Sequence, residues 1–151
     1  MRAVVQRVTR AAVWVGDEVV GAIGSGLLVL VGVTGEDTER DADLVASKLV
    51  GLRILPDDAQ AMNRSVHEAG GAVLIVSQFT LYADTRRGRR PSFTAAAHPR
   101  VAEPLVERVV DGVRQAGIEV QSGRFGAKMA VELVNDGPVT VLVETRRGRL
   151  V

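Results

Sequence analysis

The chain contains no cysteine, so neither a disulfide nor thiol chemistry is available to it. Its only two histidines are His67 and His98, and no spacing of His, Asp and Glu resembles a set of metal ligands. No metal and no cofactor are therefore expected. Aromatic residues make up 3% of the sequence, so the core must come from Val, Leu, Ile and Ala. Neither sign of charge dominates: 19 Lys and Arg face 18 Asp and Glu, for a net charge of +1. No apolar run reaches membrane length. Met1-Arg2-Ala3-Val4-Val5 reads as a strand rather than as the start of a signal peptide. A soluble, cytoplasmic protein without a membrane partner is the expectation.

Hydrophobic residues are 46% of the 151, enough for a core, and the length is that of one domain. Residues 1–34 are strand-like. Val4, Gln6 and Val8 share one face, and Ala3, Val5 and Arg7 the other. Gly16-Asp17 joins two apolar runs as a two-residue hairpin turn. Leu27 to Val31 is apolar throughout, the pattern of a strand buried on both faces. Thr38 and Asp41 have capping-box spacing ahead of Ala42, Val45, Leu49 and Leu52, which recur at helical intervals. Met62 to Gly71 reads as a loop or weak hairpin. Ala72 to Val76 is a second buried strand, which leads into Ser77. A second helix is expected over about Val101 to Ala116, with Pro104 in its first turn and Gly117 as its stop. Met129 to Val134 and Val139 to Val143 read as two further strands. Asn135-Asp136-Gly137-Pro138 between them reads as a turn that ends in an edge strand. The tail from Arg146 reads as frayed. Together these elements predict one α+β domain with two main helices and a largely antiparallel sheet.

The candidate functional residues lie mainly between the second buried strand and the second helix. Ser77, Gln78, Phe79 and Thr80 leave the end of that strand, where hydroxyls, an amide and a ring can hold a small polar ligand. The alternative is a strand end whose hydroxyls bond locally. Thr80 is a possible nucleophile, but no base neighbours it in the sequence. Arg86, Arg87, Arg89 and Arg90 crowd one loop suited to phosphates, and Arg146, Arg147 and Arg149 form a second basic group. His67 and His98 read as surface or capping residues. Gly21 to Gly26 precedes a strand rather than a helix, so it is a turn and not a phosphate cradle.

Four segments together carry a family likeness. They are Ser77-Gln78-Phe79-Thr80-Leu81-Tyr82-Ala83-Asp84, Gly88-Arg89-Arg90-Pro91-Ser92-Phe93, Gly123-Arg124-Phe125-Gly126-Ala127-Lys128-Met129 and Asn135-Asp136-Gly137-Pro138-Val139-Thr140. With the opening Met1 to Val8, they resemble the bacterial D-aminoacyl-tRNA deacylase family. The likeness spans residues 1–145 and leaves 146–151 as a basic tail. It implies a homodimer with a barrel-like sheet that acts on the 3′ end of aminoacylated tRNA and not on DNA. The reaction implied is hydrolysis of the ester of a D-amino acid. The likeness also implies that the Gly137–Pro138 peptide is cis, enters the site of the other subunit and enforces chirality, with glycyl-tRNA incompletely excluded. Ser77 to Thr80 would hold the ester, Phe79 would stack on the terminal adenine, and the arginine loop would contact the RNA. The attacking water would be activated either by the terminal ribose 2′-hydroxyl or by way of a Thr80 nucleophile. A non-catalytic binder of RNA 3′ ends is the competing class.

Overall fold

The structure is a computed structural model and describes residues 1–151. Nine strands and two helices follow one another as β1 (Arg2–Val15), β2 (Glu18–Ile23), β3 (Gly26–Gly32), α1 (Glu39–Gly51), β4 (Leu55–Pro56), β5 (Met62–Arg64), β6 (Ala72–Ser77), α2 (Pro99–Gln115), β7 (Glu119–Ser122), β8 (Ala130–Arg146) and β9 (Arg149–Leu150). The main sheet runs β7-β6-β3-β1-β8-β9, and β2 pairs with β1. The β1 and β8 pairings are antiparallel, but β3–β6 and β6–β7 are parallel, so the sheet is mixed. It curls into a half-barrel. β2 comes so close to the far edge that a Cβ on Gly21 would lie 2.8 Å from the Ser122 carbonyl oxygen.

The curl explains why so many valines are buried without aromatic residues. Ala3, Val5, Leu27, Val29, Val31, Val73 and Ile75 face the helices and form one core with Val45, Leu49, Val109 and Val113. Alternate residues of the same strands (Leu28, Leu74 and Val76) face the inside of the curl with Val8, Val13 and Ile23. β3 and β6 are thus buried on both faces, which is what their uninterrupted apolar runs require. No helix is long and apolar enough to cross a membrane.

Helix α1 begins as its spacing predicts. The Asp41 carboxylate accepts hydrogen bonds from the Thr38 amide and the Thr38 hydroxyl, both at 3.0 Å. The turn at Gly16-Asp17 is also present, with Gly16 at φ 57°. The short hairpin falls earlier than expected: β4 pairs with β5, so of the 62–71 stretch only Met62–Arg64 is strand and the rest is loop.

Helix α2 differs from expectation. It starts at Pro99 rather than near Val101, with His98 as its cap accepting from the Arg100 amide through Nδ1 at 3.3 Å. Pro99 takes the first helical position, which suits proline. Pro104 therefore sits in the second turn, and its missing N–H leaves the Arg100 carbonyl without a helical partner. The two helices cross closely, since a Cβ on Gly112 would lie 2.7 Å from the Ala46 Cβ.

Two further expectations are corrected. The Asn135 to Thr140 segment is not a turn between two strands. β8 runs through it and stays paired with β1 on both sides, and Gln6 faces Thr140 while Val8 faces Asn135. Four residues, 136–139, thus oppose the single Arg7, so the segment is a bulge within a central strand. The tail is not frayed either. Arg147 (φ 52°) and Gly148 (φ 68°) turn the chain so that β9 pairs with the end of β8.

Candidate functional site: a cleft under two aromatic rings

The cleft begins where β6 ends. The Gln78 amide donates to the Val31 carbonyl at 2.8 Å, which extends the β3–β6 pairing by one bond past Ser77. The chain then winds into one 3₁₀ turn, Phe79–Tyr82. That turn lies flat on the end of β3 because residue 32 is glycine. A Cβ there would come within 3.0 Å of both the Gln78 carbonyl oxygen and the Leu81 Cβ. Arg2 ties the turn down from β1. Its Nη1 donates to the Leu81 carbonyl at 2.7 Å, its guanidinium lies 5.1 Å from the centre of the Tyr82 ring, and its Nε is paired with Glu144. Burial, with the Asp37 charge nearby, pushes the Tyr82 phenol well above its ordinary value, so it stays neutral.

Beside this turn opens a cavity of about 570 Å³. Ser77, Gln78 and Phe79 line it together with Phe125 to Ala127 and Met129. Val31, Val33, Val76, Val106 and Val131 make the rest of its lining largely apolar. Phe79 is 59% exposed and meets Phe93 edge-to-face at the rim, with ring centres 5.2 Å apart at 75°. An exposed pair of rings over an apolar cavity is no part of the core. It is a surface on which a flat ring can stack.

The arginine loop is rooted next to this rim. Asp84 and Ser92 exchange two backbone hydrogen bonds, 2.7 and 2.9 Å, and close the loop between them. Arg86 is not free: its Nε and Nη2 grip the Asp84 carboxylate at 2.9 and 2.7 Å. The Arg86 side-chain and backbone bonds hold the Asp84 carboxyl far below the usual range. Arg87, Arg89 and Arg90 take part in none of the ion pairs, so three of the loop's four guanidiniums remain uncompensated.

The structure brings Ser77, Gln78 and Phe79 together but leaves other expected residues apart. Thr80 does not line the cavity, and its hydroxyl accepts from Gln78 Nε2 instead. Gly137 and Pro138 also lie outside the cavity of their own chain. Their peptide is cis. Their bulge is held by Asn135, whose side chain accepts from the Val139 amide at 2.7 Å and donates to the Val139 carbonyl at 3.2 Å. Arg7 braces it from β1, donating through Nε to the Asp136 carbonyl at 2.9 Å and through Nη1 to the Ile54 carbonyl at 2.8 Å. The sequence reading gave no role to Arg7, Phe93, Phe125 or Met129. Phe93 and Phe125, two of only three phenylalanines, fall within the glycine-, serine- and arginine-rich segments that carry the family likeness, and that placement is the signal for them. Nothing in the local sequence marks Arg7.

Fold and cleft define a class: a small α+β protein with a half-barrel sheet and an apolar cavity at the end of its parallel strands. The solved structure of a c-Myc DNA Unwinding Element Binding Protein has this fold, with a TM-score of 0.89 and 38% identity over 97% of this chain and 99% of that one. Residues 4–144 match the family model described as D-Tyr-tRNA(Tyr) deacylase, and the chain belongs to that family. It is 59% identical to the D-aminoacyl-tRNA deacylase of Symbiobacterium thermophilum, with 97% of each chain covered. It is also 59% identical to that of a Roseiflexus species, covering 96% of this chain and 94% of that one.

Proposed function

We propose that this protein hydrolyses the ester between a D-amino acid and the 3′ end of tRNA, as a cytoplasmic homodimer, without metal or cofactor. The observation that carries the reading is the cavity under the Phe79–Phe93 pair, bounded by the Ser77–Phe79 backbone, in a chain of this family. The apolar rim and exposed rings suit the terminal adenosine. Stacking on Phe79 contributes about 1–3 kcal/mol per base. Backbone N–H groups beside Gln78 suit the oxyanion of an attacked ester. Arg87, Arg89 and Arg90, with Arg86 as the anchored member, take the RNA phosphates.

Thr80 lies outside the cavity with its hydroxyl engaged, which favours attack assisted by the ribose 2′-hydroxyl over a Thr80 nucleophile. Thr80→Val is then expected to keep turnover within about threefold. Replacing the terminal ribose by its 2′-deoxy form is expected to abolish it. Single-turnover assays read both, and the opposite pattern assigns the reaction to Thr80.

Chirality is assigned to Gly137 and Pro138 of the second subunit, consistent with their position outside their own cavity. Exposed Val134 and Leu142 on β8 support such a partner. With the amine and the ester carbonyl both held, an L residue would drive its Cβ into the Gly-Pro backbone, whereas a D residue points away. Glycine has no Cβ, so glycyl-tRNA is expected to be attacked to some extent.

Matched D- and L-tyrosyl-tRNA provide the test. Loss of the D ester alone supports the reading, and loss of both removes the chirality role. Binding without loss of either leaves a binder of RNA 3′ ends. Duplex DNA belongs in the same experiment as a competitor, because the protein of the similar solved structure is described as binding a DNA element.

A further inference from the structure

The paired end of the β8–β9 hairpin, residues 145–150, lies beyond the residues 4–144 that the family model matches, and it carries a charge arrangement that its own fold does not explain. Arg146 stands directly opposite Arg149 in the ladder. Directly opposed residues of an antiparallel pair share a face, and like charges so placed weaken the hairpin. Both side chains are exposed.

No carboxylate nearby relieves them. Glu144 is held by Arg2, Glu36 by Arg147 at 3.8 Å, and Asp37 by the Met1 ammonium. Asp41 is occupied by the Thr38 and Gly148 amides. Arg146, Arg149 and the nearby Arg40 form no ion pair.

The hairpin is also firmly placed. The Gly148 amide donates to the buried Asp41 at 2.9 Å, and the Val151 amide donates to the Glu144 carbonyl at 3.0 Å. Uncompensated arginines on a fixed support differ from a solvated tail, because the repulsion between them is built in.

Their place in the fold points to the occupant. Arg146 and Arg147, though not Arg149, line a cleft of about 290 Å³ with Arg2, Thr34 and Tyr82 and with three carboxylates that are already paired, Glu36, Asp37 and Glu144. Tyr82 ends the 3₁₀ turn that Phe79 begins, and Asp84, two residues on, roots the arginine loop. The arginine loop therefore follows the turn directly, and the hairpin meets the end of the same turn at Tyr82. Two guanidiniums side by side match the phosphate oxygens of an RNA backbone.

We infer that the β8–β9 hairpin is a second phosphate-binding element, with Arg146 and Arg149 gripping the backbone of the RNA whose 3′ end enters the cleft. This rests on the proposed reading that the cleft receives a tRNA end.

The test is the double variant Arg146→Gln/Arg149→Gln. Binding of uncharged tRNA is followed by fluorescence anisotropy across a salt series, beside a CCA trinucleotide. Hydrolysis of D-tyrosyl-tRNA is followed separately. The variant is expected to weaken tRNA binding about 5- to 20-fold at low salt and to lower the log–log salt slope by about 1–2, as loss of one or two phosphate contacts does. KM for D-tyrosyl-tRNA rises correspondingly while kcat holds. Trinucleotide binding does not change, and the Lys/Lys variant recovers most of the loss. The melting temperature stays level or rises, since a repulsive pair is removed.

An unchanged affinity and salt slope for tRNA would overturn the inference. So would an equal loss on the trinucleotide, or a shift from dimer to monomer that accounts for the loss. Failure of the wild-type protein to hydrolyse D-tyrosyl-tRNA would instead remove the proposed activity, while the anisotropy series still decides the role of the hairpin.

Discussion

Gly137→Ala is expected to lower turnover of D-tyrosyl-tRNA by about 100-fold, the scale of loss that a misplacement of about 1 Å brings to a positioned site. Residue 137 sits at φ 143°, a conformation that L side chains rarely adopt. A Cβ there would lie 2.7 Å from Val139 Cγ2 and 2.9 Å from the Val139 amide nitrogen. The first contact can relax by rotation of the valine. The second is with backbone, and the Asn135 side chain holds that same amide at 2.7 Å. The bulge tip must therefore move, and Arg7 lies 3.3 Å from the added carbon on the other side. If Gly137 and Pro138 exclude L residues from the neighbouring site, discrimination between D- and L-tyrosyl-tRNA should fall along with turnover. The fold should survive, because the pairing of β1 with β8 continues on both sides of the bulge. Single-turnover rates on both esters, beside a thermal melt, check this. Full activity with intact discrimination would remove the bulge from the proposed mechanism.

Asp41→Ala is expected to destabilise the fold by about 3 kcal/mol, combining a lost helix cap with a buried amide left without an acceptor. Asp41 is completely buried, and one oxygen takes the Thr38 amide and hydroxyl while the other takes the Gly148 amide. It thus joins the start of α1 to the β8–β9 turn, more than 100 residues away. For a domain of this size, the melting temperature should drop by about 6–12 °C. Asp41→Asn, which keeps the shape but loses the charge, should fall between the two.

The same residue sets an acid limit. Burial alone would raise the Asp41 pKa, but the bonds from Gly148 and Thr38 outweigh it and leave the value below that of an ordinary aspartate. A depressed folded-state pKa contributes stability that is complete above the unfolded value and fades as pH falls through the folded one. Wild type should therefore lose stability below about pH 4, the ordinary aspartate value, and Asp41→Asn should lose less over that interval. Equal acid slopes in chemical denaturation would show that Asp41 is not the group responsible.

How much of this could be read beforehand depended on the range of each interaction. The capping box at Thr38 and Asp41, the Gly16-Asp17 turn and the doubly buried β3 and β6 follow from neighbours a few residues apart, so they were readable directly. The family likeness likewise rests on contiguous segments, and these include Ser77, Gln78 and Phe79 at the cleft. Proline was misleading twice. Pro104 reads as a first-turn residue because an interior proline costs a helical hydrogen bond, yet α2 extends five residues ahead of it, with the His98 cap and Pro99 at its start. Pro138 reads as the start of an edge strand. It sits instead in a bulge of a central strand, because the Asn135 side chain supplies the partners that the ladder loses there.

What the sequence by itself determined is the α+β class, a core of aliphatic residues, the absence of thiol chemistry and the family. All of these depend on composition or on contiguous pattern. Only the tertiary structure decided that the Thr80 hydroxyl is taken up by Gln78, that Phe93 joins Phe79 at the cavity, that Asp84 claims Arg86, and that Arg146 is set against Arg149 on an ordered hairpin. Each of those outcomes depends on where a strand end, a loop or a turn meets another, and no local pattern encodes a meeting between distant parts of the chain.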